Sequence, residues 1–188
     1  MTPELGQLAL ILAMLLALAQ SILPLIGAWR GNRALMAVAR PAAAGQAVFV
    51  AMAFVILAWA FLRFDFSVQY VADNSNLALP WYYRIAAVWG AHEGSLLLWI
   101  LILNVWTMAL VTFSQKLPEV FASRVIAVMG LIAVGFLAFI IFTSNPFGRL
   151  LPMPGDGADL NPVLQDPGMT MHPPMLYMGY VGFSVAFA

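Results

Sequence analysis

Residues 5–28 read LGQLALILAMLLALAQSILPLIGA, a run that contains no charged side chain. A helix of about 20 apolar residues is long enough to cross the hydrocarbon core of a bilayer. The run is too long for the apolar core of a secretory signal, and no basic segment precedes it. We therefore predict that residues 5–28 form a membrane-spanning helix that the mature protein keeps.

Further apolar stretches follow along the chain and predict further spanning helices. They comprise residues 42–62, 85–113, 125–142 and 174–188. Of the 188 residues, 63% are hydrophobic and 9% are charged, whereas a soluble domain carries about 25% charged residues. The sequence therefore predicts an all-α, polytopic transmembrane helix bundle with about five spanning helices and no separate soluble domain.

The charge balance and the lack of cysteine exclude several other classes of protein. The formal net charge is zero, whereas a nucleic-acid-binding protein needs clustered positive charge. A chain without cysteine forms no disulfide and holds no metal through thiolates. Apart from the methionines, the two histidines are the only soft or borderline ligands that remain.

The basic residues are distributed unequally between the two sets of predicted loops. The loops after the first and third helices hold Arg30, Arg33, Arg40, Lys116 and Arg124. The positive-inside rule places these loops in the cytoplasm. We therefore expect the N-terminus and the loops 63–84 and 144–173 on the outer side of the membrane. Because loop 144–173 is rich in proline, we expect it to be non-helical, and ordered through packed leucines such as Leu160.

The first group of residues that could carry chemistry is WGAHEGS at residues 89–95, which contains Trp89, His92 and Glu93. Ionisable side chains at membrane depth indicate a function. A structural explanation is nevertheless favoured by the residues alone, because the dipole of a helix N-terminus stabilises Glu93. Adjacent helical positions point about 100° apart, so His92 and Glu93 are not expected to share a metal ion.

The second candidate is His172, which precedes two prolines in the string MTMHPPM. A residue before proline is pushed away from helical geometry, so we predict that His172 lies on extended backbone directly before the fifth helix. This position suits an axial ligand of haem iron. A solvated interfacial histidine is the more common outcome for such a residue, and a copper site with Met171 and Met175 ranks lower.

Several strings give the chain a resemblance to a known family. They are WGAHEGSLLLW at 89–99, SNPF at 144–147, DLNPVLQDPG at 159–168 and HPPMLYMGYVG at 172–182. In these strings the chain resembles the CcmF/NrfE-type haem lyases of bacterial cytochrome c maturation, and the resemblance covers its whole length. Ala91 is a departure, since glycine is expected there in most relatives.

The resemblance implies a multi-pass protein of the bacterial inner membrane that is longer than this chain. Such proteins take haem from a periplasmic haem chaperone and present it to the Cys-x-x-Cys-His motif of apocytochrome c, alongside other maturation subunits. A pair of periplasmic histidines holds the haem, and His172 matches the first of them. The second histidine, a tryptophan-rich segment and the ligands of a membrane-buried haem b are expected after residue 188. This expectation agrees with a chain that is still apolar at Ala188, because a protein rarely ends within a spanning helix.

Two other functions stay open from the sequence. A proton- or ion-translocating subunit would use Glu93 as its carrier, and it would need further charged side chains at mid-membrane depth. None occurs between Ser95 and Phe113, which disfavours this alternative. The other alternative is a structural or docking subunit that carries no cofactor itself, and it is supported by the absence of half of the haem site from this chain.

Overall fold

The computed structural model describes residues 2–188, in which helices form nearly all of the regular structure. The α-helices are α1 (Thr2–Arg30), α2 (Arg33–Ala37), α3 (Ala39–Leu62), α4 (Gln69–Asn74), α5 (Trp81–Ala87), α6 (His92–Phe113), α7 (Glu119–Thr143) and α8 (Pro167–Phe187). Two 3-10 turns lie at Ser114–Lys116 and Pro162–Gln165. The predicted all-α class is therefore confirmed.

Four segments of the described chain are long and apolar enough to cross a membrane: Thr2–Arg30, Arg33–Leu62, His92–Lys116 and Glu119–Thr143. The 21-residue helix α8 packs along α6 and adds a fifth member to the bundle. This architecture agrees with the predicted membrane bundle of about five helices. The side of the membrane on which the N-terminus lies stays a prediction.

Small side chains line the centre of the bundle. Ala9, Ala13 and Ala17 repeat at about one helical turn along α1 and are completely buried, and α1 packs chiefly against α3 and α7. Small residues let membrane helices approach each other closely. Leu8 and Leu15 on the same helix are about half exposed, as side chains that contact lipid should be.

The apolar run predicted at 85–113 is not one helix. It is divided between α5 and α6, and residues 88–91 between them turn sharply. The Tyr70 hydroxyl holds this turn, because it accepts a hydrogen bond from the N–H of Ala91 at 3.1 Å and donates to the carbonyl of Val88 at 3.2 Å. Loop 63–84 accordingly contains α4 and the first part of α5 rather than irregular chain alone.

The fifth helix begins at Pro167 rather than at residue 174. The Asp166 carboxylate caps it by accepting a hydrogen bond from the N–H of Met169 at 3.0 Å, and Pro167 occupies a position in the first turn where no N–H is needed. Helical structure then continues through Pro173 and Pro174. His172 is consequently helical, which differs from the expected extended backbone and non-helical loop.

Candidate functional site at the two-loop end

The site lies at the end of the bundle that carries residues 63–91 and 144–166, here called the two-loop end. The two loops bind each other through their backbones. The N–H of Gln69 donates to the carbonyl of Gly148 at 2.9 Å, and the N–H of Leu150 donates to the carbonyl of Ser67 at 2.9 Å. Leu160 is only 1% exposed and anchors the second loop in the core. The loops therefore form one layer over the helix ends.

Trp89 lies in the sharp turn between α5 and α6 and points toward α8. Its indole Nε1–H donates to the carbonyl oxygen of Thr170 at 3.1 Å. In a regular helix that carbonyl accepts the N–H of the residue four positions later. Position 174 is proline, which has no N–H. The indole thus supplies the donor that the helix lacks.

His92 is the first residue of α6, and its side chain is exposed. Its Nδ1 lies 3.2 Å from the hydroxyl of Ser144, and the ring packs edge-on against Phe139 with the centroids 5.9 Å apart. A cavity of about 270 Å³ opens beside it, with Ser95 and Tyr177 among the lining residues. His92 is therefore tied to the end of α7 and borders the space between α6 and α8.

Glu93 occupies the first turn of α6 and is half-buried. The unpaired N–H groups of a helix N-terminus favour a carboxylate there, and the structural explanation of Glu93 stays a prediction. Within residues 2–188, no group of three or more His, Cys, Asp or Glu side chains could hold a metal ion.

His172 lies on the free side of α8. At about 100° per residue, positions nine apart are on opposite sides of a helix, and Val181 is completely buried against the bundle. The imidazole is exposed, and Leu176 and Phe183 on the same side are 39% and 71% exposed. His172 thus stands in an apolar stripe that faces away from α6.

The structure brings Trp89 to the turn of α8 that holds His172, but it does not bring His92 or Glu93 to that histidine. No hydrogen bond or ring contact joins either residue to His172 in the part of the chain that the structure describes. The contact between Trp89 and Thr170 was missed by sequence reasoning. Its signal was present, since a proline inside a helix leaves the carbonyl four residues earlier without its donor.

Three further contacts fix α8 to α6. The hydroxyls of Ser95 and Tyr177 lie 2.5 Å apart, and the indole of Trp106 donates to the carbonyl of Met178 at 3.1 Å. The Trp99 ring lies against Tyr177 with the centroids 5.0 Å apart. Together with Trp89, these side chains hold one side of α8 along its length and leave the side of His172 free.

Relatives of the chain are found among proteins of cytochrome c biogenesis. The chain is 70% identical to the cytochrome c-type biogenesis protein CcmF of Pseudomonas aeruginosa and 57% identical to CcmF of Escherichia coli, in each case over 100% of this chain and 29% of the relative. It is 43% identical to the biogenesis protein NrfE of Haemophilus influenzae, over 100% of this chain and 30% of that protein. The chain therefore spans less than a third of the length of these relatives.

The fold is also similar to that of a solved structure, a cytochrome c heme lyase CcmF. The TM-score is 0.86 at 30% sequence identity, over 100% of this chain and 29% of the solved chain. Residues 89–188, which contain Trp89, His92 and His172, match the family of cytochrome C assembly proteins. The chain thus belongs to the cytochrome C assembly protein family, as a member of its CcmF type.

Proposed function

We propose that this chain supplies one axial ligand, His172, to the haem that a bacterial inner-membrane haem lyase holds at its periplasmic face. The observation that carries the proposal is the position of the imidazole. It is exposed at the two-loop end, on a helix whose opposite side is fixed to α6 and to the turn before α6. A ligand held in this way can meet a large planar molecule without rearrangement of the bundle.

The surroundings of His172 fit an iron porphyrin. A porphyrin offers iron for a nitrogen ligand and a broad apolar face, and the apolar stripe with Leu176 and Phe183 provides matching contact area. Haem in this position is the substrate of the lyase. In this proposal the second axial ligand, and the ligands of any further haem b, come from outside residues 1–188.

The role of this chain in the reaction is positioning. Thioether formation adds a cysteine S–H across a haem vinyl group, so that sulfur bonds to one carbon and the proton goes to the other. Holding the two groups in a fixed orientation can lower the barrier substantially. The partners in this proposal are a periplasmic haem chaperone, apocytochrome c, other maturation subunits and membrane lipid.

The test uses a full-length lyase in which this chain replaces the matching segment of the Pseudomonas aeruginosa CcmF. We expect His172→Ala to abolish cytochrome c maturation, and added imidazole to restore part of it in His172→Gly. Met171→Ala, which changes an exposed neighbour of His172, serves as the control and should mature cytochrome c normally. Normal maturation by His172→Ala, at equal protein level, would show that His172 is not the ligand.

A further inference from the structure

We infer that Trp89 is a positioning residue for His172, because its indole replaces the helical hydrogen bond that Pro174 cannot make. The inference rests on the proposed function, since it assigns Trp89 to the direction of the haem ligand. The turn of α8 that begins at Thr170 and ends at Pro174 contains His172. The donor that closes this turn comes from the segment between α5 and α6, at 3.1 Å from the Thr170 carbonyl.

The remaining contacts around Thr170 show that the turn is held from two sides. The N–H of Thr170 donates to the carbonyl of Asp166 at 2.9 Å, and its hydroxyl donates to the carbonyl of Leu164 at 2.8 Å. These bonds fix the start of α8 to the loop before it. The carbonyl of Thr170 points the other way along the helix, toward the ring of Pro174, and the indole of Trp89 is its donor.

Trp89 is itself held firmly enough to position another residue. It lies in the turn that the Tyr70 hydroxyl closes through the N–H of Ala91. A Cβ added to the neighbouring Gly90 would come within 3.0 Å of the Leu160 side chain. The indole nitrogen is a hydrogen-bond donor only. It can therefore pair with the Thr170 carbonyl, but it cannot accept a hydrogen bond. A change in the direction of this indole therefore changes the turn that carries His172.

Trp106, in α6, provides a matched control. Its indole also donates to a backbone carbonyl of α8, that of Met178, at the same distance of 3.1 Å. The regular helical donor for that carbonyl is the N–H of Gly182, which exists because residue 182 is not proline. Loss of the indole thus leaves the Met178 carbonyl with a donor, whereas loss of the Trp89 indole leaves the Thr170 carbonyl with none.

The test is a double-mutant cycle with Trp89→Phe and Pro174→Ala in the full-length lyase described above. Pro174→Ala returns an N–H to α8, so Trp89→Phe should then have little effect. We measure the free energy of unfolding of the haem-free protein in detergent, and the low-spin fraction of bound haem in its visible spectrum. Two imidazole ligands give low-spin iron. The part of the low-spin signal that His172→Ala removes therefore reports whether His172 is bound, separately from any further haem b.

We expect Trp89→Phe to lower the ratio of low-spin to high-spin haem by about tenfold, the factor that corresponds to the loss of one hydrogen bond whose acceptor is left unpaired. Trp106→Phe should change it by less than about twofold, and Trp89→Phe in the Pro174→Ala background should change it equally little. An equal effect of Trp89→Phe in both backgrounds would overturn the inference.

The measurement on haem-free protein separates this inference from the proposed function. Suppose that Trp89→Phe and Pro174→Ala are coupled in the free energy of unfolding, but His172→Ala leaves the low-spin signal unchanged. The indole then replaces the missing donor, and His172 is not the ligand. In that case the positioning role of Trp89 fails together with the proposed function. If His172→Ala loses the spectrum but no coupling appears in unfolding or in the spectrum, only the inference about Trp89 is wrong.

Discussion

The Tyr70 hydroxyl lies 3.1 Å from the backbone nitrogen of Ala91 and accepts its hydrogen bond. This contact joins α4 to the turn that separates α5 from α6, and Tyr70 is 4% exposed. Tyr70→Phe leaves the Ala91 N–H and the Val88 carbonyl without this partner. We expect a loss of about 1–3 kcal/mol in the free energy of unfolding. Thermal unfolding in detergent measures it, and Tyr82→Phe, at an exposed position, should change it by less than about 0.5 kcal/mol.

Stability should also depend on the ionisation of Tyr70 at alkaline pH. Burial raises the pKa of the Tyr70 phenol, because burial disfavours the charged phenolate. Its contribution to folding is complete below the unfolded-state pKa of about 10. It is lost as the pH rises further, since the unfolded chain then releases the proton first. Unfolding of wild type and Tyr70→Phe between pH 8 and pH 11 checks this: we expect the stability difference between them to shrink above about pH 10. A stability difference that stays constant up to pH 11 would contradict the raised pKa of the Tyr70 phenol.

Gly94 allows the backbone of α6 to pass directly under the turn before it. A Cβ at this position would lie 1.7 Å from the carbonyl oxygen of Val88, and a backbone atom cannot rotate away. We expect Gly94→Ala to lower the free energy of unfolding by about 3 kcal/mol or more, or to prevent folding. Gly135→Ala is the control, because a Cβ there meets nothing within 4 Å and α7 is helical throughout. The free energy of unfolding of Gly135→Ala should equal that of the wild type or be slightly higher.

Gln20 is a polar side chain inside the bundle and is 1% exposed. Its Nε2 donates to the carbonyl of Ile126 at 2.9 Å and joins α1 to α7, while its Oε1 has no hydrogen-bond partner. The stability gained from the hydrogen bond of Nε2 is therefore offset by the cost of burying the unpaired Oε1. We expect Gln20→Met, which removes both groups at similar volume, to change the unfolding free energy by less than about 1 kcal/mol. A loss of several kcal/mol would indicate a further partner for Oε1.

The spanning helices were predictable because a helix that crosses the lipid needs a run of about 20 apolar residues. The runs 5–28 and 125–142 lack charge, and both lie within the helices α1 and α7. The helices are longer than the runs, since hydropathy marks the hydrocarbon core and helical hydrogen bonds continue into the interface. The division between α5 and α6 was not predictable in this way. Residues 85–91 are apolar throughout, and the turn is made by Tyr70, which is distant in sequence.

At the start of α8, the local signal of two prolines against a helix is overridden by a contact with a residue distant in sequence. Asp166 and Pro167 form a recognisable cap and first turn, but Pro173 and Pro174 argue against a helix at that point. The indole of Trp89 supplies one of the missing donors, and no rule of local sequence contains that contact. The identity of His172 as a candidate ligand could be read from the resemblance, whereas its helical backbone could not.

The basic residues predict the orientation of the bundle in the membrane. Arg30 and Arg33 lie at the end opposite to the two-loop end, and the positive-inside rule places that end in the cytoplasm. Alkaline phosphatase fused after Gly155, which is exposed in the loop layer, should therefore be active, because the enzyme works only outside the cytoplasm. The same enzyme fused after Lys116, between α6 and α7, should be inactive, and a cytoplasmic reporter should show the reverse pattern. Activity of phosphatase at Lys116 instead would invert the topology and place His172 on the cytoplasmic side, against the proposed function.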